Sequence, residues 1–114
     1  MKLSERLLQI FDAKAAADRA QLQAQAADVD ALGEILSTAH YAGIDCRPEQ
    51  IHAHGDSIMV CNAEPETAIA WMLRAGFSVE QVKSRLYFTH NHLRHPDITC
   101  PIVILTPKDG AERA

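Results

Sequence analysis

The chain has 114 residues, a formal net charge of -4 and a hydrophobic content of 47%. This length predicts one small domain, and the mild acidic excess argues against a protein that coats nucleic acid without specificity. Aromatic residues make up only 5% of the chain, so we expect a core built mostly from aliphatic side chains. No stretch approaches the ~18 consecutive apolar residues of a membrane-spanning helix, and the charged opening residues do not resemble a signal peptide.

The cysteines indicate a reducing compartment. Cys46, Cys61 and Cys100 are odd in number and lack the spacing of a disulfide scaffold. We therefore expect a cytoplasmic protein with free thiols and without a membrane anchor.

The N-terminal third of the chain predicts a long helix. Its first 32 residues contain neither glycine nor proline, and nine of the nineteen residues from Ala13 to Ala31 are alanine, the strongest helix former. A kink near Gly33 is an option that the sequence leaves open. Apolar residues return every seven positions, the period at which helices pack lengthwise against each other. The predicted interface residues are Leu8, Phe11, Ala15, Leu22, Val29 and Leu36.

This seven-residue period predicts self-association. We expect a homodimer or a higher homo-oligomer that buries the apolar side of the helix. The alternative is a single long helix that remains exposed over half its length.

The periodicity changes after Pro48 from that of a helix to that of strands. The pattern predicts two strands joined by a Gly55-Asp56 turn, then a helix opened by Pro65, then two more strands. The predicted strands cover residues 51–54, 57–61, 82–93 and 98–106. The fold class is therefore α+β, with the long N-terminal helix followed by a small ββαββ antiparallel-sheet unit. The expected divisions are a helical, oligomer-forming segment at 1–43, the ββαββ unit at 44–107 and a flexible tail at 108–114.

Four histidines form two pairs in predicted strands. His52 and His54 are two residues apart, as are His90 and His92, so each pair shares one face of its strand about 6.6 Å apart. Two imidazoles at that spacing can bind one zinc ion, and all four would converge if the two strands were neighbours. A histidine-coordinated zinc module is therefore one prediction. The alternative is that the rings bond only to backbone or water, with no bound cofactor.

A basic stretch at residues 83–95 contains no acidic residue. Lys83, Arg85 and Tyr87 alternate along the predicted strand and therefore share a face. They combine charge for phosphates with a ring for base stacking, so this strand predicts a nucleic-acid-binding regulator as an alternative function. The other reading is a solvated strand face.

No motif indicates catalysis. The chain has no G-x-S-x-G sequence and no glycine-rich phosphate loop, and it contains only five glycines. We therefore predict a non-enzymatic accessory protein that self-associates through its N-terminal helix and acts by protein–protein contact. Its size and composition are typical of inhibitors encoded by phages or mobile elements.

Overall fold

The computed structural model describes residues 2–44 and 47–108. Three helices and five strands follow one another along the chain, and short 3-10 turns cover Ala39–Ala42 and Pro48–Gln50. The helices are α1 (Leu3–Ala24), α2 (Ala26–Leu36) and α3 (Pro65–Arg74), and the strands are β1 (Ile51–His54), β2 (Ser57–Val60), β3 (Ser78–Ser84), β4 (Phe88–His95) and β5 (Ile98–Pro107). The predicted α+β fold class is confirmed.

The five strands form one sheet in the order β1-β2-β5-β4-β3. Strands β2 and β5 are parallel, and the other three pairs are antiparallel. The sheet is therefore mixed, whereas the sequence predicted an antiparallel one. The chain crosses over between β2 and β5 through α3 and the β3–β4 hairpin, and such a crossover brings two strands side by side in the same direction.

The strand predicted at 82–93 is two strands. Strand β3 ends at Ser84, β4 begins at Phe88, and the backbone N–H of Arg85 donates a 2.9 Å hydrogen bond to the carbonyl oxygen of Phe88 across the turn. No glycine, proline or asparagine marks this turn in the sequence, and those residues are the usual turn signals.

Helices α2 and α3 pack on one side of the sheet, which we call the covered face. Leu32 of α2 and Met72 of α3 are buried in one cluster with apolar residues from the three central strands. The strand residues of this cluster are Ile58, Val60, Leu93, Ile98, Ile102 and Ile104. The expected helical segment at 1–43 is thus not uniform, because its second helix belongs to the core of the sheet.

The N-terminal helical segment breaks at Gln25, which separates α1 from α2, whereas Gly33 lies inside α2. Gln25 is buried, and its side-chain amide donates hydrogen bonds to the carbonyl oxygens of Ser57 (3.1 Å) and Gly55 (3.4 Å). The amide of Gln21 donates to the same Gly55 oxygen at 2.6 Å. These bonds hold the junction of the two helices against the β1–β2 hairpin.

Residues 109–114 of the tail expected at 108–114 lie outside the described residues. Lys108 is described, and its backbone N–H donates a 3.1 Å hydrogen bond to the carbonyl oxygen of Tyr87.

Ile102→Ala tests the core assignment. Ile102 is completely buried, so truncating it should lower the free energy of unfolding by about 2–5 kcal/mol. Urea denaturation measures this loss. Leu86→Ala is the matched control, because it removes the same number of carbon atoms from a side chain that is 79% exposed. Equal losses for the two variants would contradict the assignment.

Candidate functional site

We call the side of the sheet opposite α2 and α3 the open face. Helix α1 borders the sheet at the β1 edge, where Asp18 and Leu22 lie beside His52 and Met59. Val103 lies in this face between Met59 of β2 and His92 of β4, which pair with it on either side. Val103 is buried, yet it is not a member of the core cluster under the helices. Its burial is therefore separate from the cluster under α2 and α3. Helix α1 contributes no buried residue of its own.

Four groups that carry or can acquire positive charge meet at one end of the open face. Lys83 of β3 pairs with His90 of β4, His92 follows two residues along the same strand, and Arg85 lies in the turn between the strands. We call Lys83, Arg85, His90 and His92 the basic hairpin. Burial lowers the pKa of His92, and the charges of Lys83 and His90 lower it further. Glu80 opposes this shift, and Arg85 adds the smallest lowering effect. Cations repel one another, so this effect reflects how closely they are grouped.

Exposed rings border the basic hairpin. Phe88 stands on the same side of β4 as His90 and His92, because alternate residues of a strand share a face, and it remains 44% exposed. Tyr87 and Leu86 are exposed in the turn. This end of the sheet therefore combines flat apolar surface with positive charge.

The three predicted nucleic-acid-binding residues all lie in the β3–β4 hairpin, although they do not lie on one strand as predicted. The sequence placed Lys83, Arg85 and Tyr87 on one face of one strand. Lys83 lies in β3, while Arg85 and Tyr87 lie in the turn that the sequence did not reveal. Sequence reasoning gave no site role to Phe88, although its spacing of two from His90 was a usable signal.

The two histidine pairs lie in strands that are not neighbours. Strands β1 and β4 are separated by β2 and β5, a distance of about 14 Å at the usual strand spacing. His52 is exposed near one edge of the sheet, His90 and His92 lie toward the other, and the side chain of His54 lies outside the described residues. The four-histidine zinc site required neighbouring strands, and that condition is not met. Among the side chains that the structure describes, no three His, Cys, Asp or Glu groups are placed to hold a metal ion.

One cysteine is held in a poorly reactive form. Burial, followed by contact with the carboxylate of Asp28, raises the pKa of the Cys100 thiol to about 11. Asp28 accepts hydrogen bonds from the backbone N–H (2.9 Å) and the hydroxyl (2.6 Å) of Thr99. These bonds lower the pKa of Asp28 and tie α2 to the start of β5. Since the thiolate is the reactive form of cysteine, Cys100 is a structural residue at neutral pH.

The first half of α1 is a second unusual surface. Five large apolar side chains there are each more than half exposed, and they are Leu3, Leu7, Leu8, Ile10 and Phe11. The helical period places all of them except Leu8 on the side of α1 that carries Gln21 and Gln25, the two residues bonded to the β1–β2 hairpin. We call Leu3, Leu7, Ile10 and Phe11 the arm stripe.

The six predicted interface residues divide into two groups. Leu8, Phe11, Ala15 and Leu22 are exposed on α1. The assignment of the other two is wrong, because Leu36 is buried in the core and Val29 is partly buried against it. The helix is interrupted at Gln25 and α2 is buried against the sheet, so the seven-residue period does not mark one exposed surface. Spacings of three and four residues in the sequence would have identified Leu3, Leu7 and Ile10.

The chain matches no protein-family model, and neither the curated proteins nor the solved structures include one that is detectably similar to it. Among the described residues, no helix combines the length and the apolar character needed to cross a membrane.

The lowered pKa of His92 predicts a pH dependence of stability. The unfolded chain takes up a proton at the ordinary pKa of 6.5, above the folded value, so the free energy of unfolding should fall as pH drops through and below 6.5. Urea denaturation at pH 7.5 and pH 5.5 measures this loss, which should be smaller in His92→Gln. His52→Gln, an exposed histidine on the same face, should behave as wild type. An undiminished loss in His92→Gln would contradict the assignment.

Proposed function

We propose that this protein is a non-enzymatic interaction module, and that two copies associate through the first half of α1. The arm stripe is the observation that carries the proposal. It is a continuous apolar surface that no part of the described chain covers, and it lies on the same side of the helix as the residues that bind the β1–β2 hairpin.

The first half of α1 requires a partner for energetic reasons. The hydrogen bonds from the side chains of α1 to the sheet begin at Gln21, so more than half of this 22-residue helix projects beyond its anchor. In proteins most of the stability of a helix comes from tertiary packing of its apolar side. Docking against another apolar surface would supply that packing.

A second copy is the partner that this surface fits. The four side chains of the arm stripe offer on the order of 100 Å² each, which amounts to about 800 Å² across a symmetric pair. That area corresponds to the weak, concentration-dependent end of protein interfaces. A twofold pair presents the same patch from both sides, so each stripe covers the other without need of a second protein. The alanine-rich remainder of α1 allows two backbones to approach closely.

Action through protein contact, in the cytoplasm, is the function that we infer for such a pair. The arrangement would suit the inhibitor or accessory role predicted from the composition. The alternative outcome is that the first half of α1 from one copy docks into a groove of a different protein.

Phe11→Asp and Leu7→Asp test the pairing. Each places a charge in the arm stripe, so each should convert a concentration-dependent dimer into a monomer in sedimentation equilibrium. Gln9→Asp is the matched control, because it adds the same charge to the opposite side of the same turn and should leave the dimer intact. Urea denaturation should show that the sheet core of each variant is retained.

A wild-type protein that remains monomeric up to several hundred micromolar would overturn the proposal. Equal weakening by all three substitutions would also overturn it, since it would show that the arm stripe has no special part in association.

A further inference from the structure

We propose that the open face at the basic hairpin binds single-stranded nucleic acid, with Phe88 stacking on a base and with Lys83 and Arg85 contacting phosphates. This site is separate from the arm stripe, and the proposal does not depend on pairing through α1. Its occupant is an extended strand with unpaired bases, because the chemistry of the site is that of flat stacking surface beside positive charge.

The shape of the site suits an unpaired strand. Phe88, His90 and His92 follow one another along the open face of β4 at the spacing of alternate strand residues, about 6.6 Å. Within the described residues no helix lies over them, and Phe88 keeps 44% of its surface exposed. An aromatic ring on an open sheet can stack against any base, so the contact does not depend on the nucleotide sequence. A base inside a duplex cannot reach such a ring.

The charges of the site are available to a ligand. Glu80, the acidic neighbour of His92, is engaged by the guanidinium of Arg94 at 2.8 Å. Arg94 also donates to the carbonyl oxygen of Thr99 at 2.7 Å. Among the described residues, neither Lys83 nor Arg85 forms a salt bridge. Two unpaired cations on one hairpin therefore stand out from a chain whose net charge is -4.

The overall charge sets the expected strength of binding. A chain with net negative charge repels a polyanion everywhere except at this patch, so affinity should be modest and strongly dependent on salt. The same balance argues against a general duplex-coating role, which requires a broad basic surface.

The test is fluorescence anisotropy of the full chain with labelled oligouridine and oligothymidine at several salt concentrations. Binding of either oligonucleotide should weaken steeply as salt rises. Lys83→Ala and Arg85→Ala should each weaken binding several-fold and reduce the slope of log affinity against log salt by about 0.7. Phe88→Leu should weaken binding by about tenfold and leave the slope unchanged, because it removes a stacking ring and no charge.

Two cationic residues outside the open face serve as controls. Arg74→Ala on α3 and Lys14→Ala on α1 each remove one positive charge from an exposed position, and binding should be unchanged in both. Urea denaturation of every variant separates lost binding from lost folding.

Three results would overturn the proposal. These are the absence of oligonucleotide binding at low salt, binding that Lys83→Ala, Arg85→Ala and Phe88→Leu all leave intact, and a loss in either control equal to that in Lys83→Ala. A fourth contradicting result would be tighter binding of the duplex, formed by hybridising the oligonucleotide to its complement, than of the single strand, because the proposed site is for unpaired bases.

Discussion

The number of helices that can cover the sheet is the constraint on which the rest of the molecule depends. Five strands span about 19 Å between the outer two, and two helices side by side, each about 10 Å across, cover roughly that width. Helices α2 and α3 have only 11 and 10 residues, and both bury their apolar residues on the covered face. Since α1 contacts the sheet at the β1 edge, the described residues leave much of the open face and the arm stripe without a helix over them.

Gln25 determines where α1 points. Its buried amide satisfies carbonyl oxygens of the β1–β2 hairpin that would otherwise lack these bonds, and leaving a buried polar group unpaired costs about 1–3 kcal/mol. The helix is interrupted there, and Leu32 and Leu36 of α2 are buried in the core while the arm stripe of α1 remains exposed. Nothing in the local sequence reveals this role, because glutamines recur throughout an alanine-rich segment that favours one continuous helix. The interface role predicted for Leu36 was wrong for this reason, and the helix is interrupted at Gln25 rather than near Gly33, where the sequence left a kink open.

Short-range sequence patterns predicted the helices and strands that depend only on residues close together in the chain. The local sequence pattern identified β1 and β2, the Gly55-Asp56 turn joined them, and Pro65 marked the start of α3. The turn between Ser84 and Phe88 was not predicted, because it lacks turn-forming residues. Without that turn, β3 and β4 were predicted as one strand. Strand order depends on pairing between distant segments, so the sequence could not place β5 between β2 and β4. That order separates the strand of His52 and His54 from the strand of His90 and His92.

The two proposed surfaces are compatible because they lie at opposite edges of the sheet. Helix α1 is anchored beside β1 and β2, whereas the basic hairpin is formed by β3 and β4. Pairing through the first half of α1 would therefore leave both open faces accessible in the dimer. Two modest sites joined in one particle bind a strand long enough to reach both far more tightly than either site alone, because the second contact becomes intramolecular. A dimer with two weak nucleic-acid sites would then bind long unpaired strands more tightly than short ones. A monomer with one site lacks this selectivity.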